Sequence, residues 1–136
     1  MVCNTDLLIQ KRALALVKRA LVKVIANLAD FAEKHKDLAT LGFTHYQPAQ
    51  PTTVGKRATL YLQDLLMDLD YVEHLEQQIK ARGAKGTVGT QATFSELFNG
   101  DHAKVRERDR RVAAKIGFDQ VFAVTGQTYP RKLDMK

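Results

Sequence analysis

Cys3 is the only cysteine in the chain. No internal disulfide can form, and a thiolate metal centre has too few ligands. No uninterrupted apolar run approaches the roughly 18 residues that a membrane-spanning helix needs. Met1 to Asp6 lack the charged start and apolar stretch of a secretory signal, so a soluble cytoplasmic protein is the expectation. Internal repeats and low-complexity segments are missing too, as are the compositions of disordered or collagen-like chains. Neither zinc-finger spacing nor an aromatic RNA-binding motif is present.

What remains is the composition of an ordinary globular protein, 45% hydrophobic and 26% charged over 136 residues, which suits one domain or part of one. The formal net charge is +6 and the isoelectric point is near 9.6. Such a surplus fits nucleic-acid binding, a solvated coat on helix faces, or cations that receive a small polyanionic substrate. Composition does not choose among the three.

Hydrophobic spacing predicts two long helices. In the first, over about 5–36, Leu14, Val17, Leu21, Val24, Leu28 and Phe31 repeat at intervals of 3 and 4, an a/d seam for near-parallel packing. Asn4 or Thr5 is the expected N-cap. About 32 residues at 1.5 Å each give roughly 48 Å, too long for one small domain to cover. Leu41 to Thr53, with Gly42, Pro48 and Pro51, reads as a loop. The second helix, over about 54–82, carries a stripe of Ala58, Leu62, Leu65, Leu69, Val72, Leu75 and Ile79, with Gly83 as its stop. Ala84 to Thr93 is a Gly/Thr-rich loop. A capping box at Thr93 to Glu96 opens a short helix over about 94–99. Asp101 caps another helix over about 101–116, closed by Gly117. Pro130 suits the first turn of a further helix near 129, and the state of Val121 to Val124 is open. Overall the pattern predicts an all-α bundle of long helices. Their seams offer more apolar surface than one helical hairpin covers, as expected for a piece of a larger helical protein.

Three polar clusters could carry chemistry. His45 lies among Thr44, Gln47 and Gln50 between the long helices, and an imidazole can donate or accept a proton near neutral pH. A bland loop histidine fits the same residues. His35, His74 and His102 sit in charged helical stretches and read as surface residues. The loop Lys85 to Gln91 could cradle an anion through backbone amides and hydroxyls, although it lacks a P-loop ending and also fits a plain turn. In Thr125 to Lys132, Gln127 could hydrogen-bond a substrate and Arg131 could pair with a carboxylate or phosphate, or both could lie on a solvated helix start. Paired carboxylates suited to acid–base work and Ser/His/Asp or Cys/His arrangements are not legible.

Taken together, the clusters resemble the adenylosuccinate lyases, in the fumarase/aspartase superfamily. The blocks that carry the resemblance are Leu41 to Gln50, Thr52 to Arg57, Lys85 to Thr87 with Gly89 to Ala92, Gly100-Asp101-His102, and Thr125 to Tyr129. A Thr-His-x-Gln-x-Ala pattern is shared across the superfamily. The Gly-Asp-His and Thr-Gly-Gln-Thr-Tyr blocks narrow it. Pro130 departs from the small or polar residue expected at its position.

The resemblance implies elimination of fumarate from adenylosuccinate, giving AMP, and from succinyl-aminoimidazole carboxamide ribotide. It implies no metal or organic cofactor, a nucleotide substrate and a homotetramer whose long helices form a common core. Nucleic acid and membrane are not expected partners. His45 would be the general acid or assist it, and Thr44 would position the substrate. Gln127 would bind substrate, as would Gln91 with Thr90; Arg131 is a further substrate-binding candidate. The family's serine base, on a loop of the form Ser-Ser-x-Met-Pro-x-Lys-x-Asn-Pro, has no counterpart in this sequence. The piece alone is therefore expected to be inactive. Competing readings are another superfamily lyase, such as an argininosuccinate lyase or fumarase, and a non-catalytic basic helical interaction module.

Overall fold

The computed structural model describes residues 2–135. In chain order the elements are α1 (Val2–Lys34), β1 (Ala39–Thr44), β2 (Gln47–Thr53), α2 (Val54–Gln78), α3 (Ala92–Leu97) and α4 (His102–Lys115), with a 3-10 turn at Arg131–Met135. The chain divides into two compact units. A helix-pair unit spans Leu14–His74, and a core unit gathers the residues before Leu14 with those from Leu75 onward.

Within the helix-pair unit, α1 and α2 run alongside each other. The N–H of Gly55 donates to the carbonyl of His35 at 2.9 Å, and Lys18 pairs with Glu73 at 3.0 Å nearer the other end. A Cβ on Gly55 would lie 2.4 Å from the Ala32 carbonyl oxygen, so only glycine allows this approach. The expected seam on α1 needs correction. The buried and half-buried positions from Leu14 on are Leu14, Ala15, Lys18, Leu21, Ile25, Leu28, Ala32 and His35, so Leu14, Leu21 and Leu28 hold, whereas Val17, Val24 and Phe31 are each about half exposed. The helix has two apolar rows. The contact at Gly55 fixes which of them packs inside this chain.

The expectation of an all-α chain is also corrected. Residues 39–53 form an antiparallel hairpin, with Ala39 opposite Thr53 and Thr44 opposite Gln47. A bulge between Leu41 and Phe43 leaves Gly42 where a Cβ would sit 2.8 Å from the Gln50 carbonyl oxygen. Gly42, Pro48 and Pro51 make the segment look like a loop. A two-stranded sheet consists of edge strands only, and an edge strand accommodates proline because its N–H need not enter a ladder. Arg57 on α2 donates to the Leu41 carbonyl at 2.7 Å, and Thr53 Oγ1 accepts from the Lys56 N–H at 3.1 Å at the start of α2.

The core unit is built around Leu7, Ala81, Ala113, Phe118 and Tyr129. Here α2 ends at Gln78, short of the expected stop at Gly83, because Ala81 leaves the helix for a parallel bridge to Val121. Its N–H donates to Gln120 and its carbonyl accepts from Phe122, both at 2.9 Å. Val121 takes its state from this bridge, and 122–124 follow as irregular chain.

Asn4 does not cap α1. Its side chain instead spans the backbone of Arg82 and Gly83, at 2.8 and 3.1 Å. The capping box expected at Thr93 is absent: α3 starts at Ala92 behind Gln91, without a side-chain cap. Asp101 caps α4, accepting from the Ala103 and Lys104 amides at 3.1 Å. Gly117, at φ +86°, closes the helix in a Schellman arrangement, with Phe118 N–H to Ala113 O at 2.9 Å and Gly117 N–H to Ala114 O at 3.1 Å.

Candidate active site

The expected site residues fall in both units. Thr44 and His45 belong to the helix-pair unit; Thr90, Gln91, Gln127 and Arg131 belong to the core unit. His45 and Tyr46 form the two-residue tip of the hairpin, between the paired residues Thr44 and Gln47. Their φ angles are +49° and +64°, the backbone of a type I′ turn. Asn-Gly is the preferred filling for such a turn, since a side chain crowds its own carbonyl there at about 1–2 kcal/mol per residue. This sequence places an imidazole and a phenol at both strained positions, and both are exposed. Strain of this kind persists where the surroundings impose it, and it clusters at functional sites.

In the core unit, two of the polar clusters meet. Gly89, at φ +83°, packs so tightly that a Cβ would lie 2.2 Å from the Thr125 carbonyl oxygen. Arg82, buried at 6% exposure, ties the same two segments together, donating to the carbonyls of Lys85 (3.3 Å), Gly86 (3.0 Å) and Gly126 (2.9 Å). The loop 85–91 engages two of its own amides, those of Gly86 and Gly89. It closes on itself through Gly86 N–H to Thr90 O at 2.7 Å and is clamped from behind by a guanidinium.

Gln91, behind Thr90 and at the start of α3, donates through Nε2 to Asp109 Oδ2 at 2.7 Å. Gln127 is exposed, with its backbone carbonyl facing the Cys3 thiol. Arg131 is already engaged: it pairs with Asp134 at 3.2 Å and stacks on the Tyr129 ring at 4.7 Å.

Two groups in this unit, Lys85 and Tyr129, are shifted by their surroundings. Burial pushes the Lys85 ammonium below its usual range; Asp109 opposes this and Arg82 adds to it. Lys85 donates to the Phe122 carbonyl at 2.9 Å. The Tyr129 hydroxyl, donating to Asp134 at 2.7 Å, is held above its ordinary value by that bond and by burial. An open groove of about 390 Å³ beside Gln91 has a mixed lining: Lys85, Arg106 and Arg110 with Asp109, and apolar Val121, Phe122 and Ala123.

These segments can be set beside known proteins. The family described as Lyase matches residues 2–125, nearly the whole chain. The chain belongs to that lyase family. Among its relatives, adenylosuccinate lyase of Schizosaccharomyces pombe is 55% identical over 132 residues, covering 97% of this chain and 27% of the relative. The Saccharomyces cerevisiae adenylosuccinate lyase is 53% identical over the same share of each. A crystal structure of a fumarate lyase from Mesorhizobium sp. BNC1 matches with a TM-score of 0.70 and 26% identity, over 90% of this chain and 27% of that one. The chain thus spans little more than a quarter of the length of the lyases it matches.

Sequence reasoning places Lys85 in the candidate loop but does not single out Arg82 or Asp109. Asp109 sits in a run of charges, Lys104 to Arg111, that looks like a solvated helix face. One signal was available. Asp109 falls four residues after Val105 and four before Ala113, on the only buried stripe of α4. A charge on an apolar stripe needs a partner, and here it has three.

Proposed function

We propose that the chain forms part of the active site of a cytoplasmic lyase that eliminates fumarate from adenylosuccinate, giving AMP, and from succinyl-aminoimidazole carboxamide ribotide. The observation that carries this reading is the hairpin tip, where a proton-transferring side chain occupies a strained, exposed position that chain reversal alone would give to Asn-Gly. The names of the two yeast relatives support adenylosuccinate as a substrate.

In the reaction, a base takes a proton from the succinyl carbon and that electron pair becomes the double bond of fumarate. The carbon–nitrogen bond breaks, and the departing nitrogen needs a proton. His45, as imidazolium, donates it, and Thr44 beside it orients the substrate. Gln127 and Gln91 with Thr90 bind the substrate's polar groups. Arg131 binds the substrate through the N–H groups that its single contact with Asp134 leaves free. The expected serine-loop pattern is not found in the 136 residues, which on this reading give no turnover alone.

The intact protein assembles as a homotetramer on this reading. Support comes from the apolar side chains exposed within the helix-pair unit, including Val17, Val24 and Phe31 on α1 and Leu60, Tyr61 and Met67 on α2. A segment exchange tests the function: residues 2–133 replace their counterpart in the S. pombe lyase, and fumarate release from adenylosuccinate is measured. The exchanged enzyme is expected to turn over at a rate near the parent's. A tetramer that assembles but releases no fumarate contradicts the reading.

A further inference from the structure

Asp109 is the least exposed carboxylate near the proposed site, at 6% exposure. Its two oxygens are divided between two tasks. Oδ1 accepts from the Ala84 N–H at 3.0 Å and from Arg108 at 3.1 Å, and Arg108 in turn donates to the Ala84 carbonyl. Oδ2 accepts from Gln91 at 2.7 Å. A carboxylate offers acceptors only, so the group of Gln91 that faces it must be the amide NH2. The Gln91 carbonyl oxygen is then turned away from Asp109.

We infer that Asp109 is a positioning residue that fixes the hydrogen-bond polarity of Gln91, so that the site presents an acceptor to a donor N–H or O–H group on the substrate. This rests on the reading of Gln91 as a substrate-binding residue. A glutamine side chain unattached at both ends would offer donor and acceptor about equally and would discriminate poorly between them. Locked by a buried carboxylate, it favours a ligand that donates. Gly83 leaves room for the lock, because a Cβ there would lie 2.9 Å from Asp109 Oδ2.

The substitution Asp109→Asn tests this with little change in shape. The Asn carbonyl keeps the Ala84 N–H and Arg108, so its new NH2 takes the place of Oδ2 and faces Gln91. Gln91 must then turn over to accept, and it presents its NH2 to the substrate instead of its carbonyl. Gln91→Glu, added to Asp109→Asn, restores the original polarity: the Glu carboxylate accepts from the Asn NH2 and offers an acceptor outward. Gln91→Glu alone sets two carboxylates face to face at the 2.7 Å contact.

The experiment uses the exchanged S. pombe enzyme, with KM and kcat for adenylosuccinate measured on tetramers of matched melting temperature. Asp109→Asn is expected to raise KM by roughly 10- to 100-fold, the loss typical of a buried polar group left mispaired, with a smaller change in kcat. The double variant is expected to recover most of that loss, and Gln91→Glu alone to be worse than the double. An unchanged KM in Asp109→Asn, or a double variant no better than either single one, overturns the inference. Gln91→Ala separates this from the underlying reading. If it raises KM while Asp109→Asn does not, Gln91 binds substrate and only the positioning role fails. If Gln91→Ala leaves KM untouched, Gln91 does not bind substrate and the inference falls with that assignment.

Discussion

The two units hold their candidate residues in different ways. The core unit surrounds its polar loops with a hydrophobic cluster and two buried charges, Arg82 and Asp109, each with several hydrogen-bond partners. The helix-pair unit buries only Ala32, Gly55 and Ala58, all small, and leaves its hairpin almost wholly exposed. Its candidate histidine is held by backbone geometry alone. A loop whose side chains must be aimed requires a rigid surround. A group whose task is to reach a substrate can sit at a tip, provided that the turn is fixed.

The contrast can be broken most forcefully at two glycines. Gly55→Ala places a Cβ 2.4 Å from the Ala32 carbonyl oxygen and is expected to destabilise the helix pair by about 3 kcal/mol or more. Gly89→Ala combines a positive φ with a 2.2 Å clash and is expected to cost the core unit a similar amount. Hydrogen exchange should show each loss of protection confined to its own unit. Loss in both units from either variant would mean that they are one cooperative structure.

A smaller effect is expected at Arg82. Arg82→Met leaves the carbonyls of Lys85, Gly86 and Gly126 without their guanidinium, at about 2–4 kcal/mol by denaturant titration. A neutral result would show that the clamp is dispensable. At the hairpin the sign reverses. His45→Asn keeps a side chain that tolerates positive φ, and it is expected to stabilise the helix pair by about 0.5–1 kcal/mol. Destabilisation would mean that His45 makes contacts that its exposure hides.

The smallest effect concerns Asp101. Its carboxyl is held below the usual range, chiefly by the Lys104 amide. Because the folded value is the lower one, the capping contribution is complete at neutral pH. It fades as pH falls from about 3.8 through the folded value. Loss of α4 protection in acid should therefore disappear in Asp101→Ala. An identical acid response in that variant would remove the cap from the account.

Much of this was legible beforehand, and the gaps have physical causes. The long helices announce themselves through apolar spacing, and Asp101 with Gly117 marks both ends of α4. The hairpin stayed hidden because Gly42, Pro48 and Pro51 are loop residues by local propensity, and His-Tyr is an unusual type I′ tip. On α1 the expected seam holds at Leu14, Leu21 and Leu28 but not at Val17, Val24 and Phe31, because the row that packs in their place includes Lys18 and His35, which an apolar pattern passes over. The end of α2 was placed late because the Ala81 bridge to Val121 joins residues 40 apart in sequence. At the site, motif residues stand out as polar clusters, whereas Asp109 shows only through its spacing from Val105 and Ala113, and Arg82 has no such local signal.

The most direct test of the account is turnover by the exchanged S. pombe enzyme carrying His45→Asn. The account predicts a tetramer at least as stable as its parent, with fumarate release reduced by about 100-fold or more, the scale of a lost general acid. Release near the parent rate from that stable tetramer would contradict it and return His45 to the status of a turn residue.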